Sequence, residues 1–232
     1  MPFFRRLTGD SRVDVVRRYP SASEEVEQEQ VMAPGVQRGR PRASSRSMLE
    51  DAALDLFVEQ SYAGTTIEQI AQRAGVSRNT FFNYFESKSD VFWVLVDDRL
   101  AELPEALARS GRPSGVMAAL RDALLAIGSG FGPASVPWVL TQSELIGSVH
   151  ELQASALSRL TRQAAVIARF VEERSAHPLP SHLTRAIAYA SVGAAVAAVQ
   201  AWAAAGPTRG ELLPYLEEAL APVCAGFAPL VD

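Results

Sequence analysis

Thr65 to Lys88 reads T-T-I-E-Q-I-A-Q-R-A-G-V-S-R-N-T-F-F-N-Y-F-E-S-K, a span that predicts two helices joined by a tight turn. Thr66 can cap a helix whose apolar positions Ile67, Ile70, Ala71 and Ala74 recur on one face, and Gln69 stands where a capping box wants it. Gly75 can end that helix in a left-handed conformation without a Cβ penalty, with Val76 plugging the corner. Ser77 can cap the second helix, which turns Phe81 and Phe85 inward and offers Arg78, Asn79, Thr80, Phe82, Asn83 and Tyr84 around its sides. The whole is a helix-turn-helix over residues 66–85. In such a motif the second helix lies in the major groove and the first crosses the backbone, so sequence-specific DNA binding is the expected function.

Upstream, Arg46 to Gln60 carries Leu49, Ala52, Ala53, Leu56 and Phe57 on one face and predicts a first helix. Before it, R-G-R-P-R (Arg38, Arg40 and Arg42 around Pro41) predicts a basic arm that proline keeps out of a helix, suited to a minor groove or simply a charged linker. Residues 1–37 have mixed charge and no sustained apolar period, as expected of a disordered extension or of a translation start at Met32. Downstream, Ser89 to Ala108 predicts one linking helix. Further helices are expected at Ser114 to Ile127, Val136 to Ser148, Glu151 to Ser175, Ser181 to Ala205 and Thr208 to Phe227, separated by Gly and Pro signals. The expected fold class is all-α: a three-helix head over 43–103 and a larger helical body over 104–230.

The 232 residues are 48% hydrophobic, enough to fill a core, and the net charge is -4. Residues 38–90 hold seven basic and seven acidic side chains, but Glu50, Asp51, Asp55 and Glu59 lie on the first helix, away from the recognition face. From Val91 onward there are ten basic and thirteen acidic residues. The lone cysteine, Cys224, fits a reducing interior, and the N-terminal residues lack the apolar run of a signal peptide, so a cytoplasmic location is expected. No residue between Arg185 and Arg209 is charged. That stretch is long enough to cross a bilayer but is mostly alanine, so a buried or interface helix is expected rather than a membrane span. A helix apolar nearly all round must be covered on every side. Its small residues Ala190, Gly193, Ala194 and Ala197, with Leu213, Leu216 and Leu220 of the last helix, are the candidate dimer interface.

Enzyme motifs are missing. His150, His177 and His182 accompany no H-E-x-x-H or G-x-S-x-G, and G-S-G-F-G-P lacks both the third glycine and the preceding strand of a dinucleotide site. No enzyme activity, metal or cofactor is expected. The rival function is a helical structural or partner-binding protein that has lost specific DNA binding.

Arg46 to Leu100 resembles the head of the tetracycline-repressor (TetR/AcrR) family: A-x-x-L-F at Ala53 to Phe57, then T-T-I-E-Q-I-A-Q-R-A-G-V-S-R, then Y-F before S-K. The resemblance implies a homodimer that reads a pseudo-palindromic operator and a body whose ligand weakens DNA binding, most often a repressor. It implies phosphate contacts at Thr66, Tyr84 and Lys88, and a recognition surface at Ser77, Arg78, Asn79, Thr80 and Asn83. Phe82 stands where many members have tyrosine, which removes a hydroxyl, and Asn79 where glycine is common, which adds a base reader. T-F-F-x-Y-F, S-K-S-D-V-F-W and D-D-R-L also resemble mycofactocin-type regulators, implying a small apolar, acyl-CoA-like effector. Pocket candidates are Met117, Leu120, Leu124, Phe131, Trp138, Leu140, Glu144, Phe170 and Trp202, for most of which core packing is the competing role.

Overall fold

A computed structural model describes residues 42–109, 115–133, 135–141 and 149–232, all within one compact unit. The described residues are helical without a strand, in chain order α1 (Arg42–Gly64), α2 (Ile67–Arg73), α3 (Arg78–Phe82), a 3-10 turn (Lys88–Trp93), α4 (Val94–Leu100), α5 (Leu103–Arg109), α6 (Val116–Gly128), α7 (Trp138–Thr141), α8 (Val149–Arg174), α9 (Ser181–Ala204) and, after a 3-10 turn (Gly206–Thr208), α10 (Leu213–Val231). Arg38, Arg40 and the expected extension lie outside the described residues. Arg42 opens α1 rather than closing an arm.

Helix α1 overruns its expected end at Gln60. Ser61 breaks the regular geometry with φ 68 and ψ 164, and a short helical continuation reaches Gly64. A serine in the left-handed region is costly and needs support from its surroundings. Here the neighbouring carbonyl of Ser61 accepts the Thr65 hydroxyl at 2.8 Å, a hydroxyl also 3.2 Å from the Leu56 carbonyl.

The single linking helix expected over Ser89 to Ala108 is instead three pieces. Ser87 and Asp90 form a reciprocal cap that opens the 3-10 turn, with Asp90 Oδ2 accepting from Ser87 N at 2.8 Å. Pro104, which has no amide proton to continue α4, stands at the second position of α5, where none is needed. The last helix likewise starts later than expected, because Gly210 adopts φ 57 and Pro214 sits at the head of α10.

Leu49, Ala53, Phe57, Tyr62, Ile70, Phe81 and Phe92 build the head core, where Phe57 and Phe92 stack 4.9 Å apart. Leu152 of α8 closes it. The body core gathers Leu103, Met117, Leu120, Ile167, Ile187 and Val231, with Trp202, Leu212, Leu216 and Leu220 in an adjoining cluster. Gly128 lets α6 and α10 approach, since a Cβ there would lie 2.1 Å from Leu216 Cδ1. Ser181–Ala204 is long and apolar enough to cross a membrane, yet only 33% of its most apolar window is buried in the subunit.

Candidate nucleic-acid interface

The two helices of the reading motif are capped as their sequence requires. Thr66 Oγ1 accepts from Gln69 N at 3.2 Å while Gln69 Oε1 accepts from Thr66 N at 2.8 Å. Gly75, at φ 66, lets its own amide reach Gln72 O and the Val76 amide reach Ala71 O, the paired bonds of a Schellman end. Ser77 Oγ accepts from Thr80 N at 3.1 Å and lies 2.9 Å from Thr80 Oγ1. Both hydroxyls therefore spend bonding capacity on the start of α3.

Phe81, with no exposed surface, anchors the inner face of α3, and Phe85 packs 5.2 Å from it. With that face buried, Arg78, Asn79, Phe82 and Asn83 point outward. Phe82 is 43% exposed. Arg78 lies over its ring at 5.1 Å and pairs through Nε with Glu68 Oε1 at 2.7 Å. The Asn79 and Asn83 side chains are both exposed. An arginine can pair with guanine and an asparagine with adenine in a major groove, and this face presents both side-chain types. Tyr84 is half-buried, at the end of the motif.

Lys88 is seated differently from a side chain extended toward a phosphate. Its Nζ donates to Tyr62 O at 2.7 Å and Thr65 O at 2.8 Å, and lies 4.1 Å from the Tyr62 ring centroid. The ammonium thus satisfies carbonyls at the end of α1 and ties them to the 3-10 turn. Lys88→Met is expected to lower stability by about 1.5–3 kcal/mol through the loss of these charged hydrogen bonds. Denaturant unfolding measures that loss. A salt titration of DNA binding measures the phosphate role separately, because each lost phosphate contact lowers the slope by about 1.

Sequence reading missed the cluster behind this turn. Arg159 of α8 donates Nε to Asp97 Oδ1 at 2.7 Å and Nη2 to Asp97 Oδ2 at 2.7 Å and Asp90 Oδ1 at 3.0 Å. Its Nη1 donates to Ser155 O at 3.2 Å and to Ser155 Oγ, and the guanidinium lies 4.8 Å from the Trp93 ring. Burial works against this charge, but the hydrogen bonds and charges of Asp97 and Asp90 outweigh it and raise the pKa above the ordinary arginine value. Only the Ser87-x-x-Asp90 cap could be found locally; Arg159 lies 62 and 69 positions from its acidic partners.

The described pocket candidates are divided between two apolar clusters. Met117, Leu120 and Phe170 belong to the main body core, Phe131 and Trp202 to the adjoining cluster, and Leu124 touches both. Trp202 is fully buried and donates Nε1 to Gly210 O at 2.9 Å. Glu144 lies outside the described residues, and of Trp138 only its place in α7 is described. The candidate dimer residues also divide. Gly193 and Ala197 are exposed, with open space around Gly193, and Ala190, Ala194 and Leu213 are half-buried. Leu216 and Leu220 are a correction: both face their own subunit's core, because the apolar stripe of α10 is used to cover Trp202. Among the described residues no group of His, Cys, Asp and Glu is placed to hold a metal. Burial pushes the Cys224 thiol pKa up, unlike that of a reactive cysteine.

Residues 49–93 match the family described as bacterial regulatory proteins, tetR family, and residues 114–228 match the MftR C-terminal domain. The chain is 29% identical over 164 residues to a Mycobacterium tuberculosis (strain ATCC 25618 / H37Rv) protein that carries the name mycofactocin biosynthesis transcriptional regulator MftR, covering 71% of this chain and 82% of that one. Its fold is similar to that of NalD, the secondary repressor of the MexAB-OprM multidrug efflux pump in Pseudomonas aeruginosa (TM-score 0.54, 20% identity, covering 80% of this chain and 98% of that one). It is also similar to Thermus thermophilus FadR in complex with lauroyl-CoA (TM-score 0.53, 23% identity, covering 78% and 94%). A capped helix-turn-helix with an outward polar reading face, on a body that matches the MftR C-terminal domain, identifies the chain as a DNA-binding transcriptional regulator of the tetR family, a family of regulators and not of enzymes.

Proposed function

We propose that this regulator is an effector-responsive homodimeric repressor that reads a pseudo-palindromic operator with α3. The observation that carries the reading is the division of α3: Phe81 is fully buried while Arg78, Asn79, Phe82 and Asn83 face outward. Thr66, Ser77, Thr80, Tyr84 and Lys88, with the arm at Arg38, Arg40 and Arg42, would align the head on the backbone and the minor groove. Such contacts position the protein, and the α3 side chains supply the sequence preference. Its site of action is the cytoplasm.

Support for the dimer comes from α9. Ala186, Tyr189, Gly193, Ala197 and Ala201 form an exposed stripe at helical spacing, with Tyr189 52% exposed. A stripe of small apolar residues suits close approach by the same helix of a second copy about a two-fold axis. Two heads then read two half-sites.

The effector of this reading is a small molecule with an apolar acyl chain, of the acyl-CoA type, by likeness to the FadR complex with lauroyl-CoA. Entering the body, it would shift α4 and change the separation of the two recognition helices. A hundredfold release of DNA requires about 2.7 kcal/mol of coupling.

The test is selection of a random duplex pool on the purified protein near physiological salt, with sedimentation of the selected complex. A pseudo-palindrome bound by two chains is expected; enrichment of no sequence would favour the helical partner-binding alternative. Lauroyl-CoA is then titrated into the operator complex. Release of DNA is expected, whereas lauroyl-CoA bound with operator affinity unchanged would reject the acyl-CoA reading.

A further inference from the structure

The adjacent acids of α4 are divided between head and body. Asp98 Oδ1 accepts from Arg46 of α1 at 2.8 Å, in a pair whose side chains are 35% and 56% exposed. Asp97 accepts the two-pronged Arg159 of α8, a side chain only 11% exposed. Exposed pairs contribute little, but removing one member of a sequestered pair strands the other charge. The body-side link is therefore the strong one.

Arg159 also reaches past α4. Its Nη2 holds Asp90 Oδ1 while the other oxygen of that carboxylate caps Ser87. Next along the chain is Lys88, whose ammonium binds the carbonyls of Tyr62 and Thr65, the latter just before the Thr66 cap of α2. All five guanidinium N–H groups have acceptors: two on Asp97, one on Asp90 and two on Ser155. One body side chain thus sets both α4 and the turn at the foot of the reading motif.

We propose that Arg159 is a positioning residue for DNA binding: by clamping Asp97 and Asp90 it holds each head at the angle that lets both recognition helices of a dimer seat at once. It touches no base in this scheme. The inference rests on the dimeric reading above and adds the element that fixes head orientation in each subunit.

The distinguishing measurement compares the full operator with a single half-site duplex, for the full chain at fixed ionic strength. A half-site engages one head at any angle, whereas a full site demands both angles together. Arg159→Gln is expected to weaken full-site binding about tenfold, with half-site affinity and the salt slope for the half-site unchanged. Arg159→Lys, which keeps charge but not the two-pronged geometry, should lie between. Asp97→Asn should follow Arg159→Gln, and Asp98→Asn, at the exposed pair, should bind like the parent. Should Arg159→Gln lose its helical circular dichroism, Asp97→Asn carries the same comparison.

Unchanged full-site affinity in folded Arg159→Gln overturns the proposal. So does an equal loss on half and full sites, the signature of a loosened fold. A parent protein with no preference for the full site overturns the dimeric reading and the proposal with it, and is distinguishable because it precedes any substitution.

Discussion

Phe81→Ala is expected to destabilise the protein by about 3–5 kcal/mol and to abolish operator binding, the first from the cavity left by a fully buried aromatic. Phe81 has no exposed surface and meets Phe85 at 5.2 Å and Phe82 edge-on at 5.7 Å. Those ring contacts contribute about 0.5–1.5 kcal/mol each beyond the buried area. Because α3 spans only Arg78–Phe82, it has no other fully buried side chain to hold it against α1 and α2. A loss that size is a large share of the roughly 5–15 kcal/mol by which a domain is stable. Guanidinium unfolding followed by circular dichroism measures it, beside fluorescence anisotropy with operator DNA. Phe81→Leu, which refills most of the volume, should lose much less. A shift below about 1 kcal/mol for the alanine variant would mean that the core closes over the gap and that Phe81 is not the anchor.

Arg78→Ala is expected to act on recognition and to leave folding intact. A guanidinium on a guanine edge discriminates by about 1–3 kcal/mol, and a dimer uses two, so operator affinity should fall by about 2–6 kcal/mol. That corresponds to roughly 30-fold at the least and over 10,000-fold at the most. The free protein holds this guanidinium against Glu68 and over Phe82, in a pair 59% and 61% exposed. Giving up such a pair costs under about 1 kcal/mol, so it does not cancel the gain. Glu68→Gln should accordingly bind a few-fold more tightly. Competition with operators altered one base pair at a time separates the roles of Arg78. A base reader loses preference at one position of each half-site, whereas a phosphate contact loses affinity uniformly and reduces the salt slope by about 1 per head.

Much of the head was legible because its signals are local. A capping box spans four residues, a left-handed helix end one, and the inward pair Phe81 and Phe85 one turn, so each is written within a single stretch of chain. The breaks that split the linking helix were also written locally, in Ser87-x-x-Asp90 and Pro104, but the apolar period over Val91 to Leu103 ran across them. Periodicity reports which side faces a core and says little about where the backbone interrupts.

The body was legible as helices and less so as surfaces. Gly193 and Leu216 lie on helices of similar apolar character. One faces open space and the other Gly128, a distinction set by which helix arrives from elsewhere in the chain. The same holds for polar side chains. Lys88 as a sequence position invites a phosphate role, and only packing brings it to carbonyls 23 and 26 residues away.

By itself, then, the sequence determined the capped helix-turn-helix, the all-helical class and the inward pair Phe81 and Phe85, because these follow from hydrogen bonds and apolar faces within one or two turns of chain. Tertiary structure alone decided that Arg159 grips Asp97 and Asp90, that Lys88 ties the end of α1 to the turn after α3, and which apolar stripes are spent inside the subunit. A charge or an apolar face specifies the kind of partner it needs, while the partner itself is chosen by the fold.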